Sequence, residues 1–210
     1  MSTKRFGILL FPGVEELDFV GPWEMLRMWS LYADGPSECL LVAQTPAPVE
    51  CAKGMQVLPH CDFAGCPPLD ALLVPGGKGT RDLVGNTAVL DFVRKQAAGA
   101  QAMLSVCTGA FVLQAAGLLA GRSATTYWSL LPALRALGVP VREQRFVHDG
   151  PVWTSAGVSA GTDMMLAYIA HVAGDDTAGK VQLSAEYYPA AMRYGRQADD
   201  PRAPAYVRAG

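Results

Sequence analysis

Three short apolar runs constrain this chain more than any other feature. FGILLFPG (residues 6–13), DALLVPGG (70–77) and AMLSV (102–106) are continuous rather than alternating, and each stops at a small or turn-forming residue. That is how strands buried on both faces of a parallel sheet read. A stretch of helical periodicity follows each one. After the first comes VEELDFVGPWEMLRMW, where Leu17, Val20, Met25 and Met28 recur at helical spacing. Gly21-Pro22 is expected to open its regular part, because proline suits a first helical turn, which leaves Asp18 on the loop leaving the strand. After the second comes TAVLDFVRKQAAGA (87–100), and after the third GAFVLQAAGLL (109–119), with Cys107-Thr108 at the corner.

The remaining segments fit the same alternation. CLLVAQ (39–44) reads as a further strand, and MQVLPHCDF (55–63), with its proline, as a hairpin or edge strand. SLLPALRALG (129–138) reads as helix, RFVHDGPVWTSAG (145–157) as a hairpin turning at Asp149-Gly150, and GTDMMLAYIAHVAG (161–174) as a long buried helix. Gly 22 and Pro 15 in 210 residues exceed ordinary usage, which suits many tight turns between short elements rather than a helical bundle. No internal repeat or linker divides the chain. The expected architecture is one doubly wound, mostly parallel α/β domain with helices on both faces, covering residues 1–190, and a polar C-terminal tail at 191–210.

Charge and cysteine content exclude several function classes. A formal charge of −2 lacks the general electrostatic footprint of a nucleic-acid or anionic-membrane binder. The apolar runs are far shorter than the roughly 20 residues of a membrane helix. Five scattered cysteines, an odd number, together with a start lacking a secretory h-region, predict a reduced, cytoplasmic protein.

In an open parallel sheet, ligands bind beyond the carboxyl ends of the strands. Three such ends carry Asp18, Gly76-Gly77 and Cys107-Thr108. A cysteine at a strand-to-helix turn is expected to have its thiolate stabilised by the helix N-terminus, lowering its pKa below about 8.5. The N–H groups there and at Gly76-Gly77 could hold a developing negative charge. Simpler readings exist: Cys107 as a small buried side chain, Asp18 and Thr108 as helix N-caps. Trp23 and Trp128 follow the candidate site loops and are candidates for an apolar pocket wall, while Trp153 reads as core. His171 reads as a core histidine and His148 as a hairpin residue. GGKGT (76–80) fails the phosphate-loop test, because Gly79 stands where a hydroxyl residue must follow the lysine. His60, Cys61 and Cys66 are too few and wrongly spaced for a structural zinc.

Taken together, FGILLFPGVEELDFVGPWE, LLVPGGKGT, SVCTGAFVLQAAGLLAGRSATTYW and VWTSAGVSAGTDM resemble the ThiJ/PfpI superfamily, and within it the isocyanide hydratase branch. The resemblance covers nearly the whole chain to about residue 190. It implies a flavodoxin-like fold, a nucleophilic cysteine on a strained elbow and a homodimer. Peptidase-like and chaperone-like members carry His directly after the nucleophile, where this chain has Thr108. Class I amidotransferases need a downstream His-x-Glu, which does not occur here. Hydratase-like members commonly read TTHW where this chain reads TTYW, so Tyr127 stands in place of a histidine. The implied chemistry is addition of water to an isocyanide, giving an N-substituted formamide through a thioimidate on Cys107. Asp18 would handle the proton and the water, and Thr108 with the Gly77 backbone would stabilise the anion. Gly76, Trp23, Tyr127, Trp128 and Val158 would surround the small-molecule substrate, with no metal and no organic cofactor. Two other functions share the resemblance: a ligand-sensing domain like the N-terminal part of AraC-type regulators, and a glyoxalase or deglycase. A DNA-binding regulator would need a helix-turn-helix, for which the tail after residue 190 is too short.

Overall fold

The computed structural model describes residues 4–189 and 201–208. Most of the expected tail, including residues 193–200, therefore lies outside the described residues. The first five strands are β1 (Arg5–Leu9), β2 (Glu38–Ala43), β3 (Val49–Glu50), β4 (Gln56–Val57) and β5 (Cys61–Asp62). They are followed by β6 (Ala71–Val74), β7 (Ala102–Val106), β8 (Phe146–Asp149) and β9 (Val152–Ser155). Seven of them form the main sheet in the order β5-β2-β1-β6-β7-β9-β8. All neighbours run parallel except the edge hairpin β8-β9. The segment 55–63 holds both things its sequence suggested: β4 closes a separate hairpin with β3, and β5 is the far edge strand of the main sheet.

The central strands are buried throughout, as their unbroken apolar sequences require. Every residue of β6 and β7 is buried, and Leu72, Leu73, Leu104 and Val106 are fully enclosed. Each such side chain stabilises the fold by about 1.5–3 kcal/mol relative to exposure. The helices are α1 (Glu16–Tyr32), α2 (Thr80–Leu83), α3 (Thr87–Ala97), α4 (Gly109–Ala115), α5 (Leu131–Ala136), α6 (Ala160–Ala173), α7 (Asp175–Ser184) and α8 (Ala205–Arg208). α1, α6 and α7 pack together as one layer, and α2, α3 and α4 as another, with α4 resting on β6 and β7. The chain moves from β1 to β2 on one side and from β1 to β6 on the other, which creates a topological switch point at the carboxyl ends of β1 and β6.

Two local readings need correction. α1 begins at Glu16, not at Pro22, so Asp18 lies in the first helical turn rather than on a loop. Glu16 and Asp18 suit that turn because negative charge favours a helix N-terminus. Pro22 is accommodated inside the helix, and its missing N–H leaves the Asp18 carbonyl without an intrahelical donor. α7 has no counterpart in the apolar pattern because only Val181 of its residues is buried. His171 is exposed near the end of α6, where its ring meets the His148 ring edge-on at 4.8 Å, so it is not a core residue. Trp153 is buried under His148, with the rings stacked at 3.9 Å.

Candidate active site

The corner between β7 and α4 places Cys107 in the left-handed region, at φ 55°. Such a conformation costs a non-glycine residue free energy and persists only where neighbours hold it. Here the Cys107 N–H donates to the carbonyls of Ser155 and Ala156, each at 3.1 Å. The Cys107 carbonyl accepts from the buried Thr126 hydroxyl at 2.6 Å. Both sides of the elbow are thus pinned by the segments after β9 and before α5. Thr126 escaped the sequence reading, although it belongs to the TTYW run, because nothing local indicates that its hydroxyl faces a strained carbonyl.

Asp18 is fully buried. Its Oδ2 accepts the Gly76 N–H at 2.8 Å, while Oδ1 is buried with no hydrogen bond of ordinary geometry among the described residues. Burial pushes its pKa up to about 7, against the opposing influence of the Gly76 and Val158 N–H groups and of the Cys107 thiol. The thiol itself is pushed up to about 12, first by burial and then by the negative charge of Asp18, while Thr108 pulls the other way. The helix-terminus argument therefore has the wrong sign for this cysteine. Desolvation, and after it the neighbouring carboxylate, hold the thiol above its ordinary value. The thiol responds to the carboxylate's charge, and the carboxyl responds to the thiol as a hydrogen-bond partner.

Thr108 occupies the N-cap position of α4 without making a capping bond. Its hydroxyl instead spans to the next loop, accepting the Gly77 N–H at 2.9 Å and facing the Gly77 carbonyl at 3.2 Å. The N–H groups of Gly76 and Gly77 are consequently engaged by Asp18 and Thr108, and are not free donors for an anion as the sequence suggested. No side chain fits at either glycine. A Cβ on Gly76 would stand 2.6 Å from the Thr108 nitrogen and 2.7 Å from Asp18 Oδ2; one on Gly77, at φ 126°, would stand 2.4 Å from the Gly13 carbonyl. Gly76→Ala is expected to separate the Asp18 and Thr108 contacts and lower turnover at least about tenfold, since misplacement by 1 Å can cost more than that. Steady-state kinetics on a variant of unchanged circular dichroism checks this.

Above the sulfur opens a cleft of about 550 Å³. Cys107, 8% exposed, reaches it, beside Gly77, Thr108, Tyr127 and Val158. Phe111 and Leu130, which the sequence places only on helices, and Val84 supply apolar wall. Val158 is also strained, at φ 54°, next to the start of α6. Trp23 and Trp128 do not line the cleft. Trp23 lies against His60, ring centroids 5.6 Å apart, and Trp128 faces a separate groove with Pro132 and Arg135. None of the three histidines reaches the cleft. His60 Nδ1 accepts the Leu41 N–H at 2.9 Å, a structural role.

The profile of the DJ-1/PfpI family matches residues 4–171. The isonitrile hydratase of Pseudomonas putida is 44% identical over 190 residues, which span 89% of this chain and 79% of that protein. The HTH-type transcriptional regulator CdhR of Pseudomonas aeruginosa is 30% identical over 187 residues, 88% of this chain but 55% of the regulator. Among solved structures, a ThiJ/PfpI family protein from Pseudomonas syringae superposes with a TM-score of 0.86 at 33% identity, covering 100% of this chain and 84% of that one. No helix among the described residues is long and apolar enough to cross a membrane.

Proposed function

The chain belongs to the DJ-1/PfpI family, and from that premise we propose that it is an isocyanide hydratase with Cys107 as nucleophile and Asp18 as acid and base. One observation carries this reading: the Cys107 thiol lines an apolar-walled cleft that contains no histidine, and the fully buried Asp18 carboxyl neighbours that thiol from beneath the cleft. A thiol held near 12 is not a standing thiolate, so it needs a base at the moment of attack. The Asp18 carboxylate accepts the thiol proton as sulfur bonds to the terminal isocyanide carbon. It then delivers that proton to the same carbon, giving a thioimidate, S–CH=N–R. A water molecule loses one proton to Asp18 as its oxygen adds to the thioimidate carbon, Asp18 returns that proton to the nitrogen, and as the C–S bond breaks the remaining hydroxyl proton passes through Asp18 to the departing sulfur. The products are an N-substituted formamide and the free thiol, so one water is consumed per isocyanide.

Thr108 is assigned to the sulfur: its hydroxyl can rotate from the Gly77 carbonyl toward a developing thiolate. Gly76 and Gly77 serve as positioning residues that orient Asp18 and Thr108, and Tyr127 and Val158 enclose the substrate. The reading includes a homodimer, which the resemblance implies, and a reduced, cytoplasmic setting, which the free cysteines suit. The test is conversion of cyclohexyl isocyanide to its formamide, followed by absorbance. Saturable turnover is the expected result. The match to transcription regulators favours ligand sensing as the second reading, and binding without turnover would select it. Consumption of methylglyoxal in place of isocyanide would select the glyoxalase.

A further inference from the structure

The cleft mouth carries charge that water addition to an isocyano group does not use. Lys78, on the loop after β6, and Arg81, in α2, both line the cleft and are exposed. Neither has an acidic partner among the described residues. The other two charged residues of the lining, Glu15 and Lys53, form an ion pair with each other, and Lys53 also reaches Glu16, outside the lining, at 3.8 Å. Asp82, adjacent to Arg81 in sequence, faces the groove on the other side of α2. The mouth therefore holds two cations outside any ion pair among the described residues, on a chain whose net charge is −2. A cleft with low-dielectric walls focuses such a field on an entering ligand.

Resting on the hydratase reading, we propose that the preferred substrate is an isocyanide whose apolar tail ends in a carboxylate. The cleft, at about 550 Å³, has the size of a site for a drug-sized ligand and exceeds what a bare isocyano head requires. Val84, Phe111 and Leu130 supply the apolar surface for a hydrocarbon spacer. Arg81 presents a planar fork suited to a carboxylate, and Lys78 adds a second positive charge. The two cations lie at the mouth and Cys107 lies deeper in the same cleft, which fixes the orientation: carboxylate at the rim, isocyano carbon at Cys107.

The experiment compares 6-isocyanohexanoate with its methyl ester by formamide formation, at low ionic strength and in about 0.5 M salt. The expected kcat/KM ratio, acid over ester, is about tenfold at low salt and falls toward unity as the Debye length shrinks. In the Lys78→Gln/Arg81→Gln double variant the low-salt ratio should shrink at least about threefold, mainly through KM, because two partly exposed charges act chiefly on binding. Equal kcat/KM for acid and ester, or a ratio indifferent to the double variant, overturns the carboxylate proposal while leaving the hydratase intact. No formamide from either compound overturns the hydratase reading and this inference with it.

Discussion

Cys107→Ala is expected to lose formamide production by at least about 10³-fold while remaining folded. The size follows from chemistry: without sulfur there is no thioimidate, and removing a nucleophile that acts together with its base forfeits nearly all of their joint effect. Folding should survive because the alanine keeps the Cβ, and the hydrogen bonds that pin the elbow run through the Cys107 backbone and not its side chain. Both residues bear the same penalty at φ 55°. Formamide absorbance and a thermal melt together check the prediction. A variant that melts like the wild type and turns over at a comparable rate would remove Cys107 from the mechanism.

Asp18→Asn should cost about 10²–10⁴-fold in kcat/KM, the range for a lost general acid and base. The wild-type kcat/KM should rise with pH and level off above about 7, because the base must be ionised, and the variant should lack that limb. Stability moves in the opposite sense. The folded pKa of Asp18 lies above its unfolded value of 3.8, so the folded state binds the extra proton between those values. The contribution is fully present below 3.8 and lost as pH rises through about 7. At pH 8 the wild type bears the cost of a buried, partly unsatisfied carboxylate, of the order of a few kcal/mol at about 1.4 kcal/mol per unit. Asparagine does not bear that cost, so Asp18→Asn should melt at a higher temperature than wild type at pH 8 and show no such gain near pH 4. A melt series against pH decides it. Gain of stability with loss of turnover is the signature of a functional group held in an unfavourable place.

The scaffold was legible in sequence where burial dictates composition. AMLSV is β7 from end to end, and LLV lies within β6, because a strand enclosed on both faces leaves no position for a polar residue except the small Ser105. The location of Cys107 and Thr108 at the end of β7 follows from the same logic, whereas Asp18 lies in the first turn of α1 and not on the loop leaving β1. What the sequence concealed were properties arising between segments. The direction of the Cys107 pKa depends on a carboxylate that the fold brings from 89 residues away and on how much water is excluded, neither of which is visible in SVCTG. The N–H groups of Gly76 and Gly77 looked available because their acceptors, Asp18 Oδ2 and Thr108 Oγ1, belong to other elements. Trp23 and Trp128 were placed near the site by their distance along the chain, but helical rotation turns Trp23 toward His60 and the turn after Tyr127 carries Trp128 to a separate groove. α7 was hidden because a surface helix that buries one valine has almost no apolar period.

Pro22 has a mechanical consequence for this chemistry. A continuous helix resists small displacements because each peptide is tied to the one four positions ahead, and in α1 that tie is missing at the peptide of Asp18 itself. The opening turn is therefore joined to the shaft of the helix by one rung fewer, at the residue proposed to pass a proton from sulfur to carbon. In the proposed mechanism, rocking the carboxylate between those two atoms breaks no rung at that point.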